Sequence, residues 1–290
     1  MAFNRDTNWN ETTWAFKAFV LHHTEINNMY WAFVPAWSYS RYLARHSKSI
    51  SPEVLFCASG ADVHRLDSSM PQFIRHYESL ANWVRLSALL SALSYFEIYL
   101  RKGVTLSLLS DPAVRLGKSK AIEGVSWLKQ GIRDDFEPLV TQCVKGDWKA
   151  RVEGFKRLFS SAPPLMEANI ERLNRLRVLR NKIGHSYGRN LKIDLLETVI
   201  PSMESLKEDL LKESLQLIFD VAKDTDKYLL INHIGGFEEI LYFHGWRETL
   251  KGTNRLDEDR QLRKALNRIR LGQGVTREYC TDLVSFYHNC

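Results

Sequence analysis

Pro164-Leu165-Met166-Glu167-Ala168-Asn169-Ile170-Glu171-Arg172-Leu173-Asn174-Arg175-Leu176-Arg177-Val178-Leu179-Arg180-Asn181-Lys182-Ile183-Gly184-His185 is the stretch on which the fold reading turns. Leu165, Ile170, Leu173, Leu176, Leu179 and Ile183 recur three to five residues apart, which is a helical period. Pro163-Pro164 suits a helix start, and Gly184 and Gly188 suit its end. On that helix Asn181 and His185 share a stripe, being four residues apart, whereas Arg180 is turned roughly 140° from His185. A long arginine, or a helix that ends at Gly184, can bring the heads together. A guanidinium, a carboxamide and an imidazole within six residues suit phosphate chemistry: arginine is a permanent forked donor, and histidine both takes and gives a proton near neutrality.

Outward from this stretch the same period continues. Residues 12 to 46 are aromatic-rich and helix-like, and Pro35 is expected to kink or split them. After a loop around Ser47 to Gly60, a long helix is expected from Gln72 to Ser110, stopped by Asp111-Pro112. Residues 122 to 159 read as two or three shorter helices separated by Gly131 and Gly146. Beyond the motif, 205 to 246 reads as helix with a break at Gly235-Gly236, followed by a charged helix over 257 to 271 and a terminal one over 276 to 288. Sustained period-two segments are few and no internal repeat is seen, so the fold class is all-α.

The chain has 290 residues and 44% hydrophobic content, ample for a packed core. Its net charge is +6, and residues 151 to 190, with nine Arg and Lys against three Glu, carry a net +6 by themselves. The remainder is therefore neutral. A basic concentration around the candidate phosphate-handling groups fits a polyanion site, through Arg172, Arg175, Arg177, Lys182 and Arg189. The plainer reading makes Arg172, Arg175 and Arg177 a solvated helix face pairing with the acidic stretch from Asp194 to Glu213. Cys57, Cys143, Cys280 and Cys290 are widely spaced and form no C-x-x-C pair, and no secretory leader is evident, so reduced thiols and a cytoplasmic location are expected. The longest apolar run, from Trp83 to Leu100, is broken by Arg85 and Glu97, so no membrane span is expected.

Other chemistry finds little support. His22-His23 with Glu25 does not have zincin spacing, and Gly272-Gln273-Gly274 lacks the third glycine of a dinucleotide loop. His64, His76, His233, His244 and His288 stand alone in sequence. There is no nucleophile elbow, no P-loop lysine and no paired acidic motif, which leaves chemistry without a metal or other cofactor. The aromatic residues outside the central region read as core and dimer packing, with base stacking on Trp246 or Tyr287 as the alternative.

Arg180, Asn181 and His185, with four residues between Arg and His, resemble the R-x4-6-H motif of the HEPN superfamily of all-helical domains. The resemblance covers roughly residues 80 to 230. It implies a helical bundle over 76 to 232 flanked by helical extensions at 1 to 75 and 233 to 290. It also implies a metal-independent endoribonuclease whose composite site is built by a homodimer, in antiviral defence or toxin-type growth arrest, with an antitoxin or defence-system protein as a further partner. Catalysis would rest on Arg180, Asn181 and His185. The run Ser91-Ala92-Leu93-Ser94-Tyr95-Phe96-Glu97-Ile98-Tyr99-Leu100 resembles the family's earlier helix with its acidic residue, giving Glu97 a supporting role. Tyr187 could contact phosphate or stack on a base, or simply pack after the helix stop; Asn181 could equally be a surface amide. The alternative function is a HEPN-type module that binds RNA, a nucleotide or a protein without cleaving.

Overall fold

The computed structural model describes residues 2–47, 50–132, 134–185, 187, 202–247, 257–269 and 274–290. Twelve α-helices, with short 3-10 or π turns at Val63–Arg65, Pro112–Leu116 and Leu230–Ile234, make up the regular structure among them: α1 (Trp14–His46), α2 (Pro52–Leu55), α3 (Met70–Ser110), α4 (Gly124–Gln130), α5 (Glu137–Val144), α6 (Trp148–Phe159), α7 (Pro164–Ala168), α8 (Ile170–Gly184), α9 (Glu208–Leu229), α10 (Phe237–Arg247), α11 (Glu258–Arg268) and α12 (Arg277–Asn289). The β pairing among the described residues is a single bridge, Asn4 with Thr7. The fold is all-α.

Two of the expected boundaries fall differently. α1 is not split at Pro35 but runs on for 33 residues. A proline removes one backbone hydrogen bond, and aromatic packing on both sides outweighs it: Tyr30 is buried, and Trp37 stacks on Tyr77 while its indole N–H donates to the Tyr77 carbonyl. The helix expected from Pro164 onward is instead two, because Asn169 leaves helical geometry between α7 and α8 (φ −115°, ψ 20°). The Asn169 amide turns back to cap the Leu165 carbonyl, a local bond that competes with the helix ladder.

The chain divides into two compact units that interleave in sequence, whereas the sequence reading divides it serially. The first unit comprises residues 1–21, 95–174 and 218–290. Phe16, Phe19, Phe96 and Tyr99 form an aromatic cluster in it, with Trp148 stacked on Phe96. The first turn of α1 contains no acidic residue, and its N–H groups find carboxylates supplied by distant helices. Asp226 accepts from the Thr13 amide (3.0 Å) and hydroxyl (2.5 Å), and Glu238 accepts from the Trp14 amide (2.9 Å). This satisfies orphan donors at the start of the helix. Residues 2–13 are held by Arg5, which donates to Ser110, to the Ile234 carbonyl and to Glu123, while its own carbonyl accepts from Gly236 N–H. Gly235 makes that approach possible: its φ is +51°, and a Cβ there would strike the Arg5 carbonyl.

The second unit comprises residues 22–94 and 175–217. Its interior is made by Ile26, Tyr30 and Ala44 of α1, Ala81, Leu86 and Leu89 of α3, Leu176 and Ile183 of α8, and Leu206, Leu211 and Leu215 on or just before α9. Leu176 and Ile183, seven residues apart, point the apolar stripe of α8 inward. Asn181 and His185 are thereby left on its outer faces, while Arg180, four residues after Leu176 and three before Ile183, lies beside the buried stripe and is half-buried. No helix among the described residues is long and apolar enough to cross a membrane.

Candidate functional site

α8 ends at Gly184, and the His185 amide closes the last turn by donating to the Asn181 carbonyl (3.0 Å). Asn181 and His185 are exposed, Arg180 is half-buried, and Ile183 is buried beneath them. Among the motif heads, the Arg180 guanidinium donates to the Asn181 side-chain oxygen (3.3 Å). Asn181 is thus joined to Arg180 through its side chain and to His185 through the backbone. The imidazole stands at the C-terminal end of α8.

A second layer surrounds this end of α8; Lys182 and Tyr187 in it are expected from the sequence, whereas Asn82, Arg85, Glu204 and the exposed Trp83 are not. Asn82 on α3 clasps the segment before α9 with both ends of its amide: the NH2 donates to the Glu204 carbonyl (2.8 Å), and the oxygen accepts from the Leu206 amide (2.9 Å). Arg85 adds a bond to the Leu206 carbonyl (2.5 Å). The Glu204 amide donates to the Tyr187 carbonyl (3.1 Å), and its carboxylate pairs with Lys182 (3.1 Å). Tyr187 holds its ring against Trp83, centroids 5.8 Å apart and planes inclined by 34°. Its φ of +54° is in the left-handed region, uncommon for a bulky residue. Trp83, although the largest side chain nearby, is 42% exposed.

The remaining residues expected at the site are placed as follows. Arg175 is exposed and Arg177 half-buried on the second-unit part of α8. Arg172 belongs to the first unit, where it donates to Asn169 (3.3 Å). Glu97 also lies in the first unit and pairs with Arg151 (3.3 Å), whose guanidinium covers the Trp148 ring at 4.6 Å. Arg189 falls outside the described residues, as does part of the acidic stretch beginning at Asp194. Tyr287 is buried and meets Phe243 edge-on at 5.1 Å, so its ring is packing, and Trp246 is half-buried beside the same phenylalanine.

Histidines that stand alone in sequence acquire partners in the first unit. His233 bonds Asp111 (3.0 Å) on the wall of a cavity of about 350 Å³ that Arg5, Ser110, Lys120 and Glu123 also line. Burial opposes the Asp111 charge, yet bonds from His233, Ser119 and the Lys120 amide outweigh it and hold the carboxyl below the usual carboxylate range. The polar groups here are matched internally: Arg5 pairs with Glu123, Lys120 with Asp6, and the His233 ring is bonded to Asp111. This is a polar knot fastening the N-terminal segment. Four separate stretches supply it, so no local sequence signal could have found it.

No family model, curated protein or solved structure matches the chain.

Proposed function

We propose that this chain is a metal-independent endoribonuclease that cleaves RNA at the Arg180-Asn181-His185 end of α8. The observation that carries the reading is the presentation of an exposed imidazole one helical turn from an exposed carboxamide, itself bonded to a neighbouring guanidinium. RNA contains its own nucleophile in the 2′-hydroxyl beside the scissile phosphate, so the protein has only to move protons and stabilise charge. His185 takes the 2′-proton or protonates the departing 5′-oxygen. Arg180 meets the non-bridging oxygens as charge builds on them, with Asn181 fixing the guanidinium in place. The products are a 2′,3′-cyclic phosphate and a 5′-hydroxyl. Two protomers related by a twofold axis supply two histidines to one cleft, one acting as base and the other as acid. Defence or growth arrest is the biological setting that the motif's resemblance suggests.

The test is incubation of purified protein with total RNA in EDTA. Cleavage with cyclic-phosphate ends is expected, falling by about 10²–10⁴-fold in His185→Ala and by about 10²–10³-fold in Arg180→Ala. Mixing the two inactive variants should restore part of the activity if the site is shared between protomers. Cleavage that requires Mg²⁺, or that survives His185→Ala, rejects the mechanism.

A further inference from the structure

We infer that Trp83, backed by Tyr187, is a stacking platform that seats an unpaired base of the RNA next to the phosphate handled by His185. This rests on the ribonuclease reading of the motif and adds a specificity-determining residue to it.

Three observations point to the platform. First, Trp83 exposes 42% of its surface, and although Leu80 on α3 and Val178 on α8 are similarly exposed, it alone of the three offers a π-face and has an aromatic ring, that of Tyr187, against it. Second, Tyr187 takes a left-handed backbone conformation, φ +54°, which Cys57, Lys120 and Ser160 also take in this chain but which is uncommon for a bulky aromatic residue, and such strain collects at functional sites. Its surroundings are the Glu204 amide on its carbonyl and the Trp83 ring against its own. Third, the strained residue follows His185 by two positions, so its backbone is within about 7.6 Å of the catalytic residue's, two Cα steps.

The chemistry of the occupant follows from the chemistry of the ledge. An indole beside a phenol offers π-faces, which any base can cover, and it presents no arrangement of donors that would read one base edge over another. In a duplex both faces of each base are already stacked, so only an unpaired base can use the site. Lys182 stands on the same turn as His185 and pairs with Glu204, whose amide secures Tyr187; the cation that supplies field for the backbone is thereby tied to the ledge. Discrimination for single strands is therefore expected to be strong, and discrimination among bases weak.

The experiment compares Trp83→Ala and Trp83→Phe with wild type on a single-stranded oligoribonucleotide and on a blunt duplex of the same sequence. Removing one stacking partner should raise KM for the single strand by roughly 5- to 100-fold while kcat changes little; the phenylalanine variant should recover most of the loss, and the duplex should be a poor substrate throughout. In the uncleaving His185→Ala background, the oligonucleotide should quench tryptophan fluorescence, and adding Trp83→Phe should remove most of that quench. This second reading holds even if Trp83→Ala fails to fold. Wild-type cleavage with unchanged KM in Trp83→Ala, or an undiminished quench in the phenylalanine variant, overturns the platform and leaves the nuclease standing. A wild type that neither binds nor cleaves RNA overturns both.

Discussion

Polar side chains serve opposite ends in the two units. In the first, Asp226, Glu238, Glu239, Asp111 and His233 are buried and, where bonded, bonded to the protein itself. In the second, Asn181 and His185 are exposed at a helix end, and Lys182 and Glu204 pair at the surface. A buried charged group must be satisfied internally or it costs stability, whereas an exposed one is satisfied by water and can exchange that water for a ligand. Stability should therefore be concentrated in the polar groups of the first unit and chemistry in those of the second.

The strongest way to break that contrast is through pH. Burial pushes the Glu238 carboxyl up to about 8 and that of Glu239 up to about 7. A group whose proton is held more tightly in the folded chain adds stability below its unfolded value and gives it up as pH rises through the folded one. Unfolding free energy should thus fall between about pH 5 and about pH 8.5, with each tenfold difference in proton affinity worth about 1.4 kcal/mol. His23, whose proton affinity burial lowers, works in the opposite sense over the lower part of this window. The double variant Glu238→Gln, Glu239→Gln should flatten the profile of denaturant midpoint against pH. A profile that rises with pH in wild type, or an unchanged slope in the double variant, would show that these carboxyls are not held as described.

Next in size is the loss of a single anchor. Asp226→Ala would leave the Thr13 amide and hydroxyl without their acceptor in a buried setting, while the Tyr99 hydroxyl keeps the Ala222 carbonyl, at an expected expense of about 3 kcal/mol. His185→Ala should shift stability by less than about 0.5 kcal/mol, as befits an exposed side chain. Chemical denaturation of the two variants side by side sharpens the comparison, and equal losses would abolish it.

What the sequence made legible follows the same divide. The helices of both units could be read because apolar period and proline or glycine punctuation are local properties: Asp111-Pro112 stops α3, and Gly131 and Gly146 separate α4, α5 and α6 where expected. The Arg180-Asn181-His185 cluster was visible because its members are neighbours in sequence. The anchors were not, since Thr13 and Asp226 lie 213 positions apart and Asp111 and His233 lie 122 apart. Pro35 misled for a related reason: what keeps α1 whole is the packing of Trp37 on Tyr77, forty residues away. Trp83 opens the longest apolar run of the sequence, and only the folded chain distinguishes its exposed indole from the buried leucines that follow it.

The smallest effect expected is also the most discriminating for the motif end of α8. Tyr187→Gly relieves a left-handed φ that costs an L-residue about 1–2 kcal/mol, while it forfeits the ring contact with Trp83 and adds chain entropy to the unfolded state. These contributions oppose one another, so thermal stability should stay within about 1 kcal/mol of wild type. KM for single-stranded RNA should nevertheless rise, because the ledge loses the residue that backs Trp83. If Tyr187 were merely packing, the variant would lose stability and keep its KM; a strained tyrosine retained for substrate gives the reverse, and the pair of measurements separates the two.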